Sequence, residues 1–241
     1  MKKDGGQTWW MKILWVMGLA AFVFATIVGV ELILSLALFW LPEDVLESTV
    51  FNTFFSVVSY ALALVVIIWL PPRLFKKKIS RSSRESLGLS GLPTWTDIGL
   101  SPIGYVLSIL IAMGITFLFE FLPWFNGSEA QELGYSHYMM GFDRALAFIM
   151  VAVIAPIMEE IIFRGFLYGK LRVRIPKWVA IFVTSLVFGL VHLQWNVGIS
   201  VFAMSIVTCT LREITGTIYA GMLVHIINNA VAFYLVYVAG M

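Results

Sequence analysis

The stretch IAPIMEEIIFRGFLYGKLR (154–172) sets two adjacent glutamates and an arginine, Glu159, Glu160 and Arg164, in a run that otherwise reads as membrane helix. A carboxylate in hydrocarbon is costly, so such residues mark pathways, pairs or sites. Apart from span ends, the ionisable residues at membrane depth are these three with Glu31, Glu120, His192 and His225. Glu160 and Arg164 are four apart with the acid first, the favourable order for an ion pair on one helix face. Glu159 is rotated from Glu160 by about 100°. The two carboxylates are therefore expected to point to different places, one braced by Arg164 and the other free. Phe188 and His192 are again four apart, so the ring packs on the imidazole and limits its rotamers. His225 and Asn229 share a face and can aim two hydrogen-bond donors at one point. An oxyanion hole needs such donors about 2.7–3.1 Å from the developing charge.

Each pair has a plainer reading. EExxxR alone can be a salt bridge at a helix end, and each histidine can serve an interhelical hydrogen bond of modest energy. Glu31 and Glu120 have no partner visible in the sequence and are expected to be pore-facing or interfacial.

The elements that position these residues are membrane helices. Of 241 residues, 60% are hydrophobic and 12% charged, against roughly 25% charged in soluble domains. The mean hydropathy is +0.92. Apolar runs are continuous over about 20 residues, as helices need, not alternating as in barrel strands. A single cysteine, Cys209, excludes an intrachain disulfide and a thiolate metal cluster. The basic start and apolar run at the N-terminus invite comparison with a signal peptide. The run continues to Leu41 without a clear cleavage signal, so it is expected to remain as a first span.

The fold expected is an all-α polytopic bundle of about seven spans, within six to eight. They are drawn as Ile13–Leu41, Phe51–Leu70, Ile103–Leu122, Ala145–Phe166, Trp178–Leu193, Val197–Leu211 and Thr217–Ala239. With the N-terminus in the cytoplasm, Lys2, Lys3 and Lys12 fall inside. So do the basic residues of RLFKKKISRSSR (73–84), those from Arg164 to Lys177, and Arg212. Only Arg144 falls outside, a strong positive-inside pattern, and an odd span count puts the C-terminus outside. The polar interval 71–101 has a basic half suited to anionic headgroups, and LPTWTDIGL within it is expected as an interfacial turn before the third span. Residues 1–142 form an N-terminal region of about three spans, and 143–241 the region holding the paired motifs. Asn126-Gly127-Ser128 matches a glycosylation triplet of the kind common by chance.

Taken together, Glu159-Glu160-Ile-Ile-Phe-Arg164, Phe188-Gly-Leu-Val-His192 and His225-Ile-Ile-Asn-Asn229 resemble the EExxxR, FxxxH and HxxxN motifs of the CPBP family. These are the CAAX prenyl protease and bacteriocin-processing membrane enzymes, also called Abi or Rce1-like. The similarity covers roughly residues 145–236, with FRGFLYGKL, SLVFGLVHL and ITGTIYAGMLVHIINNAVAF around the motifs. The resemblance implies an intramembrane endopeptidase with its cavity among the C-terminal four helices. Glu159 would activate water with His192, and His225 and Asn229 would stabilise the oxyanion. Glu160 and Arg164 would brace the helix, with Phe188 in support. The partners implied are the bilayer and a membrane-associated or leader-bearing peptide or protein, with no nucleic acid.

No cofactor is expected. The alternative is a Zn²⁺ ion on Glu159, His192 and His225, a carboxylate-and-imidazole set like that of soluble metalloproteases, although the helical HExxH arrangement is absent. Two further functions compete: a non-catalytic immunity or assembly protein of the same fold, and a transporter using Glu159 and Glu160 as a proton relay. The His-x-x-x-Asn pair fits the transporter less well. Depth poses a geometric condition. Counted from Ala145, Glu159 lies toward the cytoplasmic side, and counted from Trp178, His192 lies near the opposite face. A shared water requires the Glu helix to continue to Lys170 or Arg172, or a broken or re-entrant helix, with Pro156 a natural place for a kink.

Overall fold

A computed structural model describes residues 9–70, 85–127, 135, 136 and 138–240, and every regular element among them is helical. Lys2, Lys3, the basic run 73–84 and Ser128 of the Asn126 triplet lie outside the described residues. Seven principal helices follow in order: α1 (Trp9–Leu38), α2 (Thr49–Trp69), α3 (Trp95–Phe119), α4 (Gly141–Arg172), α5 (Lys177–Leu190), α6 (Trp195–Thr215) and α7 (Tyr219–Ala239). A single turn, Glu43–Leu46, links α1 to α2. All but α5 are long and apolar enough to cross a bilayer. Large apolar side chains face outward along them, including Ile33 and Leu36 on α1 and Met113 and Phe117 on α3. Trp9, Trp40, Trp69, Trp95, Trp124, Trp178 and Trp195 stand at or just beyond helix ends, where amphipathic rings meet headgroups. The chain is a multi-pass integral membrane protein.

α6 is the centre, packed by α3, α5 and α7, while α7 also lies on α4 and α3. α1 and α2 close the other flank, α2 against α4. Small residues permit the closest approaches. A Cβ on Gly189 would stand 2.8 Å from the Gly198 carbonyl oxygen, so α5 and α6 meet backbone to backbone.

The drawn limits shift by one to several residues at every helix, and the changes in α3, α4 and α5 bear on the site. The third helix begins at Trp95, not Ile103, because Thr94 and Asp97 form a reciprocal capping box. The Asp97 carboxylate accepts from the Thr94 backbone at 2.8 Å and from the Thr217 hydroxyl at 3.1 Å, tying this helix start to the α6–α7 turn. Of the segment read as an interfacial turn, Leu92–Thr94 lead into the helix and Trp95–Leu100 are the first turns of α3. The fourth helix runs to Arg172, not Phe166. Arg212 donates to the Gly165 carbonyl at 3.2 Å and the Ser86 carbonyl at 2.9 Å, fixing the extension against α6 and the 85–88 segment.

The fifth helix is short, 14 residues, so at 1.5 Å per residue it rises only about 21 Å. This resolves the depth condition. From Arg172 back to Glu159 is 13 residues, or about 20 Å. α5 starts from the same end and delivers His192 just past its last turn, at a matching depth. Pro156 does not break α4. It lacks the N–H that would bond four residues back, and the wider π-helical turn Ile149–Ile154 directly precedes it.

Candidate active site

Glu159 and Glu160 end an α-helical stretch of α4, Ala155–Glu160, and Arg164 lies in the π-helical stretch Ile161–Tyr168 that follows. π-helical turns occur disproportionately at functional sites because they re-aim side chains without ending the helix. Glu160 Oε1 stands 3.0 Å from Arg164 Nη1, and neither side chain is exposed. The Arg164 guanidinium also lies over the Phe188 ring, 4.3 Å from its centroid. Opposite, the ring of His225 lies between the two carboxylates. Nδ1 is 3.2 Å from Glu160 Oε1, and Nε2 is 3.6 Å from Glu159 Oε2, longer than a direct hydrogen bond. A carboxylate only accepts, so Nδ1 carries the hydrogen toward Glu160.

Glu160 is braced by Arg164, while Glu159, about 100° round the helix, is not, and α7 inserts the His225 imidazole between the two carboxylates. Gly221, one turn before His225, allows the approach. A Cβ there would stand 3.0 Å from Thr208 Cβ and 3.2 Å from Glu160 Oε2.

His192 Nδ1 is 2.8 Å from the Phe188 carbonyl oxygen. A carbonyl cannot donate, so Nδ1 carries the hydrogen, and the neutral ring keeps its lone pair on Nε2. The Phe188 ring makes edge contacts with both His192, centroids 5.1 Å apart, and His225, 5.7 Å apart. Phe188 thus does more than fix one rotamer: it stands between the two histidines and beneath Arg164. His192 lies within electrostatic reach of Glu159 without a direct hydrogen bond to it.

Asn229 Nδ2 donates to the Val151 carbonyl at 3.0 Å, and its Oδ1 accepts from Asn228 at 3.2 Å. One amide hydrogen is therefore committed to the π-helical turn of α4 and one remains. Glu159, Glu160, Arg164, Phe188, His192 and His225 are brought together, and Asn229 adjoins them one turn along α7. Among the described residues, no group of three or more His, Cys, Asp or Glu side chains is placed to hold a metal ion. Glu159, His192 and His225 as they stand do not form a ready zinc ligand set.

Two residues that the motif reading missed belong to this surface. The Tyr60 hydroxyl on α2 donates to Glu159 Oε1, and Glu31 on α1 faces Glu159 electrostatically. Tyr60 is 99 positions from its partner, and no spacing within one helix can announce such a contact. Glu31 was noticed only as an acid without a partner. Glu120 is exposed near the end of α3, beside Gly127, and takes no part.

The model of a family described as Type II CAAX prenyl endopeptidase Rce1-like matches residues 141–231, from the start of α4 through Asn229. The chain is 26% identical over 176 residues to "Putative membrane peptidase YdiL" of Bacillus subtilis (strain 168), covering 72% of this chain and 68% of that protein. No solved structure matches the chain.

Proposed function

The chain belongs to the CPBP family of Rce1-like membrane proteases, and from that premise we propose that it is an intramembrane endopeptidase in which Glu159 activates the attacking water. The observation that carries this reading is the pairing of a partly accessible Glu159, 15% exposed, with a sealed Glu160 at 0%. Only Glu159 is open to a water and a substrate, while Glu160 is spent on Arg164 and His225.

In the proposed reaction a water lies between Glu159 and Nε2 of His192, which accepts one of its hydrogen bonds. Glu159 removes a proton as the water oxygen bonds to the scissile carbonyl carbon. The negative charge that develops on the carbonyl oxygen is met by the His225 ring and by the remaining amide hydrogen of Asn229. Such donors act at full strength in a low-dielectric site. The C–N bond then breaks, and Glu159 returns its proton to the leaving amine. Water is added across one peptide bond and Glu159 is regenerated. Arg164 holds Glu160 in place, and Glu160 in turn fixes the His225 ring.

Zinc remains the alternative chemistry. The described geometry offers it no assembled ligand set, so no step is routed through it. The substrate class proposed is a membrane-associated or leader-bearing peptide, cleaved near the membrane surface.

The test is cleavage by the purified protein in liposomes of two quenched fluorescent peptides. One carries a farnesylated cysteine near its C-terminus, and the other a hydrophobic leader. Mass spectrometry locates the cut. Hydrolysis of either at a single bond, lost in His192→Ala, is expected. A folded wild-type protein that cleaves neither would favour the immunity or assembly reading.

A further inference from the structure

α2 carries a stripe of polar side chains through an apolar helix. Thr53, Ser56 and Tyr60 are spaced three and four apart, so they share one face. At one end of the stripe the Tyr135 hydroxyl is 3.3 Å from Thr53 Oγ1 and also bonds Ser56. At the other end Tyr60 reaches Glu159. The Tyr60 ring packs against the main core, which limits the positions its hydroxyl can take.

We propose that Tyr60 is a positioning residue for the reaction. It fixes the Glu159 carboxylate by occupying Oε1, so that Oε2 alone faces the reacting water. The proposal rests on the protease reading, and it follows from how the two oxygens are divided. Oε1 accepts from Tyr60, whereas Oε2 stands 3.6 Å from His225 Nε2, too far for a bond that would commit it. A carboxylate held by one oxygen has lost its freedom to rotate. When water gives up its proton, the O–H bond of water breaks and a new O–H bond forms on Oε2. The hydroxide then attacks from a fixed direction, and such orientation is a large part of catalysis.

The test is Tyr60→Phe, which keeps the ring and removes only the hydroxyl, with Thr53→Val on the same face as control. In liposomes with a cleaved peptide, Tyr60→Phe should lower kcat about tenfold or more, with KM and the melting midpoint unchanged. Thr53→Val should leave kcat alone. A second measurement needs no activity. Dicyclohexylcarbodiimide, an apolar reagent for protonated carboxyl groups, is reacted with each variant, and the Glu159 peptide is quantified by mass spectrometry. Labelling of Glu159 should rise about threefold or more in Tyr60→Phe, since its Oε1 is no longer covered by the hydroxyl, and not in Thr53→Val. Unchanged labelling, or a kcat within twofold of wild type, would overturn the proposal. So would a loss of kcat that tracks loss of folded protein. Failure of the wild type to cleave any peptide would sink the protease reading instead, leaving the labelling result to decide Tyr60.

Discussion

Arg164→Met is the most informative perturbation of the buried framework. It keeps an unbranched side chain over Phe188 but removes the charge from a pair in which both members are wholly inaccessible. At a separation of 3.0 Å and an effective dielectric of about 20, the attraction is about 5.5 kcal/mol. What the variant loses is set more by what it strands: Glu160 would remain buried against His225 with its cation gone. Breaking one side of a buried pair costs about 3–5 kcal/mol, and the stack on Phe188 at 4.3 Å is worth up to about 2 kcal/mol of that neighbourhood. For a chain of this length each kcal/mol moves the midpoint by about 2–4 °C, so a drop of about 10 °C is expected. The assay uses the chain itself. Its one cysteine, Cys209, is fully buried, so a thiol-reactive fluorogenic dye in detergent reports the midpoint of exposure. The double variant Glu160→Leu/Arg164→Met leaves no unpaired charge and should regain most of the loss, since apolar replacement of a buried pair is often neutral. It should stay inactive, because His225 Nδ1 has lost its acceptor. A single variant melting within about 2 °C of wild type, or a double variant melting below the single, would refute the stranded-charge argument.

Further expectations follow from the same geometry. Asn229→Ala should lower kcat by about 10²–10³ with little change in KM, the loss typical of one oxyanion donor, as steady-state kinetics would show. Gly221→Val should both melt earlier and lose activity, since its Cβ would meet Thr208 at 3.0 Å and Glu160 at 3.2 Å. Gly99→Ala, with nothing within 4 Å, is the matched control in the same thermal assay. Chelation should leave cleavage intact, and elemental analysis should find zinc well below one per chain. Stoichiometric zinc whose removal abolishes cleavage would replace glutamate-activated water by a metal mechanism.

Much of this arrangement was legible from spacing because it is built within single helices. The Glu160–Arg164 pair and the Phe188–His192 contact are four-residue relations, and α-helical geometry alone brings them together. The order of seven apolar helices was legible for the same reason. What spacing could not carry is contact between helices. Nothing in 154–172 shows that α7 slides one histidine between two neighbouring carboxylates, or that Tyr60 from α2 reaches Glu159. Helix ends were misplaced where polar chemistry overrides hydropathy: Thr94 and Asp97 start α3 early with a cap, and Arg212 anchors an extended α4. The short α5 looked like a full span because the apolar run continues into 191–193, where the chain turns and Leu193 takes a positive φ of 55°.

The central claim is that Glu159 is the group that takes the proton from water. Its most direct test is Glu159→Gln, which keeps the shape of the side chain and an acceptor oxygen for Tyr60 but cannot act as the base. Peptide binding and turnover are measured on the same liposome preparation, by fluorescence anisotropy and by product mass spectrometry. The variant should bind the cleaved peptide as tightly as wild type and form no product. Product formation by Glu159→Gln at a rate near that of wild type would contradict it.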